Sequence, residues 1–347
     1  MKKVLSALLI LSFIIVSIFS FSACTGKASV KTVAITIAVP DGGPALGMAY
    51  LMKNYEKIGE TSVTYKIVDG ANGIKAAVMS GEADIAILPS NMAAILYNNK
   101  IDIKLVGTNS YGLLYMLSNV VSAESFTLDS LKGEVLNLLG QGGTPEIVVK
   151  KVLDAAGIAY EESDVAIPNK VALKFHADGK TIIGGLKQKT IRFAVLGEPA
   201  VSTALQQVGS PLGIVLNLQD AWKTAAGTAA SYPQTALVAK SSLIKTDAEL
   251  VKKVAKLTFD NSLKLNQDAQ PLIDCLREKG ATVPATFGTE GVQRTNITPK
   301  FGARAKADLV AYFTILKEYK AQLIGGKLPA DDFYMEGADL ETYQGDE

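Results

Sequence analysis

Short apolar runs alternate with amphipathic stretches along the first part of the chain. The run VAITIAV, residues 33–39, alternates β-branched side chains and ends at PDGGPA, which predicts a strand followed by a Gly/Pro-rich loop. Strand-like TYKIV, DIAIL and IKLVG follow, separated by helix-like segments such as GIKAAVMSG. Strands separated by helices are typical of parallel sheets with helices on both faces. The pattern therefore predicts an α/β fold.

The same pattern restarts near residue 128. EVLNLLG runs into QGGTPE, a helical stretch follows, and VALKFHA, TIIGGLKQK, IRFAVL and LGIVLNL complete a second series. From Asp247 the chain changes to long amphipathic helices, which we expect to pack back onto the first sheet. The sequence thus predicts two sheets and a helical C-terminal region.

One short pattern occurs in both series. DIAILPSN, residues 84–91, and RFAVLGEP, residues 192–199, each carry an apolar strand into a small polar loop just before a helix. In parallel α/β sheets the carboxyl ends of the strands meet at one edge, where helix N-termini aim N–H groups at the same point. We therefore expect both loops to be candidate ligand-binding loops.

Glycine and small polar residues also follow the other predicted strands. The loops are 40–45, 89–91, 108–110, 140–145 and 197–199. Such residues allow close backbone approach and cap helices, but each is also an ordinary turn residue, so only their convergence favours a binding site. The loop Gly142, Gly143, Thr144 and Pro145 suits an anionic or polar group without Arg or Lys. It matches neither the Walker pattern nor the dinucleotide fingerprint.

The N-terminus has the form of an export signal. Lys2 and Lys3 precede an uncharged run that ends in small residues, which predicts a signal peptide over residues 1–23. FSAC, residues 21–24, resembles a bacterial lipobox, with Phe21 in place of the usual Leu. The resemblance implies a diacylglycerol on Cys24, and residues 24–32 would be the lipidated Cys and a tether. The alternative is an uncleaved transmembrane helix, because the run could span about 30 Å of hydrocarbon.

The charge balance argues against nucleic-acid binding, and the cysteine content argues against a disulfide. The chain has 35 Lys and Arg against 34 Asp and Glu, and the signal removes two of the lysines, so no basic field exists for nucleic acid. With Cys24 lipidated, Cys275 is the remaining thiol and cannot form an internal disulfide. We expect Cys275 to be a small buried apolar residue on a helix.

Residues suited to catalysis are sparse. His176 is the only histidine, so a site built on two histidines cannot form, and we expect it to be a strand or edge residue. Glu198 is the acid that we place in the cleft, and it lacks the second carboxylate that glycoside hydrolysis needs. It could instead accept hydrogen bonds from a ligand or from the chain. Trp222 and Tyr232 either wall the site or pack as core aromatics.

Four segments together resemble a known family. GEADIAILPSNMAAILYNN, LKGEVLNLLGQGGTPEIVVKKVL, FAVLGEPAVSTAL and YPQTALV are similar, in order and spacing, to the solute-binding lipoproteins of ABC importers in the nitrate/sulfonate/taurine (NitT/TauT) class. That class is related to proteins that capture thiamine pyrimidine precursors. The resemblance covers nearly all of residues 33–328. It implies a type II periplasmic-binding-protein fold, in which two α/β lobes joined by two crossovers close on one small molecule. Residues 84–91 would then hold the central strand of lobe one and residues 192–199 that of lobe two, with their loops on opposite walls of one cleft.

The resemblance also implies a division of the chain and a set of ligand residues. Lobe one would comprise residues 33–118 and 226–347, with the C-terminal helices packed on it, and lobe two residues 119–225. The ligand residues carried over are Asp41, Gly42, Gly43, Pro44, Ala45, Pro89, Ser90, Asn91, Asn109, Ser110, Tyr111, Gly142, Gly143, Thr144, Glu198, Tyr232 and Gln234. The chain lacks the histidine and cysteine cluster of the pyrimidine-synthase relatives. The segment IPNKVALKFHADGKTIIGGL also departs from the family pattern, so no contact is assigned there.

The expected function follows from this resemblance. We expect a monomeric receptor, anchored to the outer face of the cytoplasmic membrane through the Cys24 lipid, that hands a small solute to an ABC permease and its ATPase. The solute would be sulfonate-, nitrate- or taurine-like, or a pyrimidine precursor, and no cofactor, metal or nucleic acid is expected. An enzyme on the same scaffold, such as a pyrimidine-forming or lyase activity, and a ligand-sensing domain of a membrane receptor are the alternatives.

Overall fold

The computed structural model describes residues 32–284 and 287–337. The predicted signal peptide, Cys24 and nearly all of the predicted tether lie outside these residues. Among the described residues, no helix is both long enough and apolar enough to cross a membrane.

Strands from the described part of the chain form two sheets. They are β1 (Ala34–Pro40), β2 (Lys57–Ile58), β3 (Thr61–Val68), β4 (Ile85–Pro89), β5 (Ile103–Tyr111), β6 (Leu114–Ser118), β7 (Val135–Leu139), β8 (Tyr160–Glu162), β9 (Val171–His176), β10 (Phe193–Gly197), β11 (Gly213–Asn217), β12 (Pro233–Lys240) and β13 (Ile297–Phe301). The first sheet has the order β13-β5-β12-β4-β1-β3-β2, and the second has the order β11-β6-β10-β7-β9-β8.

Helices cover both faces of each sheet. They are α1 (Gly43–Leu46), α2 (Ala49–Asn54), α3 (Gly70–Met79), α4 (Ser90–Asn98), α5 (Thr144–Ala155), α6 (Gly179–Lys187), α7 (Ala200–Val208), α8 (Leu218–Ala226), α9 (Ser241–Thr246), α10 (Ala248–Gln267), α11 (Gln270–Glu278), α12 (Thr289–Arg294) and α13 (Gly302–Tyr319). Their ends follow ordinary capping chemistry. Asp178 caps α6 by accepting from the Thr181 N–H, and Gly227 ends α8 in the left-handed conformation.

The predicted α/β architecture is confirmed, but the sheets are mixed and not purely parallel. In the first sheet β12 runs antiparallel to both β4 and β5, and in the second β6 runs antiparallel to both β10 and β11. The edge strands β2 and β13 are also antiparallel to their neighbours, β3 and β5. Strands β6 and β12 each directly follow a crossover. A strand that enters a lobe from the crossover begins at the edge where the neighbouring strands end, so it must run the other way.

The chain passes from the first sheet to the second between β5 and β6 and returns between α8 and β12. Strand β6 belongs to the second sheet, so the first crossover precedes residue 114 and does not follow residue 118 as the sequence suggested. The run LLYMLS, residues 113–118, continues the apolar pattern of β5 almost without a break, so no change in the pattern marks the crossover. The two central strands were predicted correctly: β4 is fourth of the seven strands, and β10 is third of the six.

The core lies in three apolar clusters. One fills the face of the first sheet under α1, α2, α10 and α11, and another lies between the second sheet and α6 and α7. The third is continuous from the α3 and α4 face of the first sheet, through α13, to the α5 and α8 face of the second. The C-terminal helices do pack on the first sheet, but α13 also contacts the second lobe. The edge strand β13 was not predicted.

Two single residues lie as the sequence suggested. Cys275 is a buried residue of α11, and His176 ends strand β9. The His176 Nε2 lies 2.8 Å from Oδ1 of Asn137, and burial, together with nearby Lys174, lowers the pKa of His176. His176 also lines a groove of about 780 Å³ on the second lobe. None of the predicted ligand residues lines this groove.

Candidate ligand-binding cleft

The loops after β1 and β10 meet across the two lobes. A Cβ added to Gly43 would lie 3.3 Å from the carbonyl oxygen of Glu198, and one added to Gly42 would lie 3.9 Å from Cδ of Pro199. Gly42 has a φ of 88°, which favours glycine at this turn. Glycine at these positions therefore allows the two lobes to approach closely, at the edge where the strands end.

The side chain of Asn109 packs against the backbone at Gly47, just after this loop. Gly47 follows Gly43 by one helical turn, and a Cβ at Gly47 would lie 2.3 Å from Nδ2 of Asn109. Asn109 is 0% exposed, and neither its Oδ1 nor its Nδ2 has a hydrogen-bond partner. Buried amides are nearly always partnered in folded proteins, so this side chain requires a functional explanation.

Gln234 is another amide with an unpartnered atom, and Asn98 and Gln219 also have one each. The Oε1 of Gln234 is buried without a hydrogen bond, and this residue lies on β12, next to β5. The polar groups between Asn109 and Gln234 are satisfied: the hydroxyls of Ser110 and Thr235 lie 2.6 Å apart, and Ser90 donates to the carbonyl of Pro233 at 2.5 Å.

Asn109 and Gln234 occupy irregular positions in the pairing of β5 with β12. Tyr111 pairs with Pro233, Ser110 with Thr235, and Thr108 with Ala236. Gln234 is thus the extra residue on one side of the Ser110–Thr235 pair, and Asn109 is the extra residue on the other side. Such bulges re-aim side chains and are frequent next to functional sites.

Glu198 is held by an ion pair between the lobes. Its side chain is 0% exposed and accepts from Nε of Arg294, which lies at the end of α12 in the first lobe. Ser202 donates to the same carboxylate from its N–H at 3.1 Å and from its hydroxyl at 2.9 Å, and Arg294 Nη2 donates to the Ser202 hydroxyl at 3.0 Å. The Glu198 carboxylate is therefore engaged by the chain itself.

The glycine loop before α5 is also engaged by its own carboxylate. The N–H of Gly142 donates to Oε2 of Glu146 at 2.5 Å, and Lys150 pairs with the other oxygen of Glu146. The Thr144 hydroxyl lies 3.0 Å from the hydroxyl of Tyr312 on α13. This loop was predicted to hold an anionic or polar group, and in the structure it binds the Glu146 carboxylate of the chain itself.

The loop after β1 also contains a carboxylate that accepts from main-chain N–H groups. Oδ1 of Asp41 accepts from the N–H of Gly42 at 2.7 Å and from the N–H of Thr282 at 2.8 Å, and the Thr282 hydroxyl donates to Oδ2. Three loops that the sequence placed in the cleft therefore each carry a carboxylate bound to main-chain N–H groups.

Aromatic side chains fill the junction beside the returning crossover. Trp222 contacts Tyr232 and Tyr312 edge to face, with ring centroids 5.4 and 5.8 Å apart. Tyr232 is fully buried and donates to Oε1 of Gln219 at 2.9 Å, and burial raises the pKa of both tyrosines. These three rings also border a cavity of about 380 Å³ between residues 228–233 and α13. Trp222 and Tyr232 are thus core aromatics that border a cavity.

The remaining predicted ligand residues have varied surroundings. Asn109, Ser110 and Tyr111 lie inside strand β5, so the loop predicted over 108–110 is wrong, because pairing with β12 and β13 overrides the turn preference of Asn and Ser. Tyr111 donates to Asp308 at 2.7 Å. Asn91 donates to the Leu323 carbonyl at 3.4 Å. Pro44 and Ala45 lie in α1, Pro89 ends β4, and Gly143 precedes α5.

Several residues at this junction were missed from the sequence, Arg294 above all. It lies 96 positions from Glu198, in TEGVQRTN, and no local pattern links the two. Within residues 32–284 and 287–337, no group of three or more His, Cys, Asp or Glu is placed to hold a metal ion.

Comparison with known proteins identifies the fold. No protein-family model matches the sequence, and no curated protein sequence matches it. Among solved structures, an ABC transporter protein from Parabacteroides distasonis is 25% identical with a TM-score of 0.74, covering 88% of this chain and 100% of its own. The periplasmic aliphatic sulphonate binding protein SsuA from Escherichia coli is 15% identical with a TM-score of 0.67, covering 86% of this chain and 96% of its own.

A third similar structure is the zinc-bound ligand-binding component of an ABC-type import system from Staphylococcus aureus. It is 12% identical with a TM-score of 0.61, covering 88% of this chain and 97% of its own. These likenesses establish the two-lobed α/β fold of periplasmic binding proteins for this chain. Sulphonate binding is named for the Escherichia coli protein, and bound zinc for the Staphylococcus aureus protein.

Proposed function

We propose that this protein is the solute-binding receptor of an ABC importer and carries out no catalysis. The observation that supports this most strongly is the convergence of loops from both lobes, with Gly43 against the Glu198 carbonyl and the unpartnered Asn109 amide beneath the same helix face. A solute between the lobes would satisfy buried polar groups and bring two mobile lobes together. Structures with the same fold include the ligand-binding component of an ABC-type import system and a periplasmic sulphonate binding protein.

The mechanism is ligand-induced closure. A solute that contacts both lobes favours the closed arrangement by its differential affinity for that state, and a permease can distinguish closed from open receptor. We assign residues 33–113 and 227–337 to lobe one and residues 114–226 to lobe two, following the pairing of β6 with the second sheet. Membership of the NitT/TauT class is part of the proposal.

Location and partners complete the proposal. The sequence of residues 1–24 supports export and lipid attachment at Cys24, which would hold a monomeric receptor at the outer face of the cytoplasmic membrane. Its partners would be an ABC permease and the ATPase of that permease.

A thermal-shift screen of the full-length chain tests this function. A solute present at 100 times its dissociation constant should stabilise the folded protein by about 2.7 kcal/mol, which is visible as a rise in melting temperature. The screen should include sulfonates, nitrate, bicarbonate, pyrimidines, amino acids and amines. If no small molecule raises the melting temperature, the receptor proposal fails.

A further inference from the structure

We propose that the cleft binds an uncharged or cationic solute that donates hydrogen bonds through N–H or O–H groups, and that Asn109 and Gln234 select it. This inference rests on the proposed receptor function and names the chemical class of its solute. It departs from the sulfonate- and nitrate-like solutes that the sequence resemblance allowed, and it is compatible with an uncharged pyrimidine.

At each of three cleft loops a carboxylate of the chain already accepts from a main-chain N–H group. An oxyanion held without Arg or Lys needs free N–H groups at glycine loops and helix N-termini. Here Asp41 accepts from Gly42, Glu146 from Gly142, and the Glu198 carboxylate from Ser202. Each carboxylate also places negative charge where an anionic ligand would have to approach.

Two cations beside these loops are already paired with carboxylates of the chain. Arg294 is paired with Glu198, whose side chain is 0% exposed, and Lys150 is paired with Glu146, whose side chain is 9% exposed. Drawing either cation to an anionic ligand would leave a buried carboxylate without its counter-charge. A solute without negative charge leaves both pairs intact.

The unpartnered oxygens of Asn109 and Gln234 favour a ligand that carries hydrogen-bond donors. Oδ1 of Asn109 and Oε1 of Gln234 are buried hydrogen-bond acceptors without donors, and Nδ2 of Asn109 is a donor without an acceptor. Two carbonyl oxygens require N–H or O–H groups from a ligand, which an oxyanion cannot supply. A planar amide, an amino-heterocycle or an amine has the complementary groups.

Asn109 and Gln234 flank one pair of residues at the crossover end of the β5–β12 ladder. They are the extra residues on either side of the Ser110–Thr235 pair, and a third irregularity, at Val106, lies further along the ladder. β5 ends at the outgoing crossover and β12 begins at the returning one, so both bulges lie where the lobes join. Asn109 also lies under Gly47, on the face of α1 whose Gly43 meets the Glu198 carbonyl. A ligand here would contact the junction that closure rearranges.

The test uses matched probes and isosteric variants of the full-length chain. The probes are nicotinate and nicotinamide, benzoate and benzamidine, ethanesulfonate and ethanolamine, with nitrate and cytosine, together with the solutes that raise the melting temperature in the wider screen. Affinities are measured by calorimetry for wild type, Asn109→Leu and Gln234→Met. The exposed Asn99→Leu and Gln267→Met are the matched controls.

The expected result is binding of donor-bearing solutes, weakened about tenfold or more by Asn109→Leu and by Gln234→Met and unchanged by the controls. Asn109→Leu without solute should melt no lower than wild type, because it removes an unpartnered buried amide. If Asn109→Leu does not fold, the affinity of Gln234→Met for the same solutes tests the proposal by itself.

Two outcomes overturn this inference and leave the receptor function standing. One is that the binders are sulfonates, nitrate or carboxylates. The other is that donor-bearing solutes bind Asn109→Leu and Gln234→Met as tightly as wild type. Absence of any binder would instead count against the receptor function itself.

Discussion

Replacing Arg294 by methionine should lower the free energy of unfolding by about 3 to 5 kcal/mol, because the Glu198 carboxylate would remain buried without its counter-charge. The carboxylate side chain is 0% exposed and Arg294 is 19% exposed, so solvent screens this pair far less than a surface pair. Urea unfolding followed by circular dichroism, with linear extrapolation to water, measures the effect.

Two control variants distinguish the stability lost with the ion pair from the stability lost with any arginine side chain. The double variant Glu198→Gln with Arg294→Met should recover part of the stability, because it removes the unpaired charge as well. Arg192→Met breaks a pair in which Arg192 is 55% exposed, and it should cost less than about 1 kcal/mol. A loss below that value for Arg294→Met would show that the pair between the lobes contributes little.

Replacing Trp222 by alanine should cost about 3 to 5 kcal/mol, as expected for removal of a large core aromatic. Trp222 is 1% exposed, and its ring contacts Tyr232 and Tyr312 at the junction of the lobes. Because one apolar cluster runs through these rings from the first sheet to the second, the variant should also weaken the coupling between the lobes. Circular dichroism is the suitable probe, since the chain has one tryptophan.

Trp222→Phe should cost clearly less than Trp222→Ala, because it keeps an aromatic ring in the cluster. Val165→Ala, at a side chain that is 68% exposed, should change stability by no more than about 0.5 kcal/mol. Equal effects of the alanine and phenylalanine variants would contradict the packing role given to the ring.

The alternation of strands and helices could be predicted because each element carries its own local pattern. VAITIAV, DIAIL and IRFAVL are short apolar runs that end at turn residues, and each is a strand in the structure. Strand β13, ITPKF, was missed because it contains a proline, which is tolerated at the edge of a sheet, and it pairs only with β5. The reversed direction of β6 and β12 follows from the crossovers, which no local pattern encodes.

The positions of the loops at the candidate site were predictable from the sequence, and the charge pairing around them was not. Glycine loops after strands are a local feature, so the positions of Gly42, Gly43 and Gly142 could be anticipated. Which carboxylate binds which N–H depends on the folded geometry, and the pairing of Glu198 with Arg294 joins residues from different lobes. The irregular pairing at Asn109 and Gln234 depends on the register of two strands that are far apart in the sequence.

The central claim, closure of two lobes on a solute, is tested most directly by a distance between the lobes. Met79 and Val165 are exposed, at 53% and 68%, and lie in the first and second lobe. Cysteines at these positions in a Cys275→Ala chain that begins at residue 25 would carry spin labels for pulsed electron resonance. With the solute that most raises the melting temperature, we predict that the distance distribution shifts to a single shorter peak. Identical distributions with and without a bound solute would contradict closure.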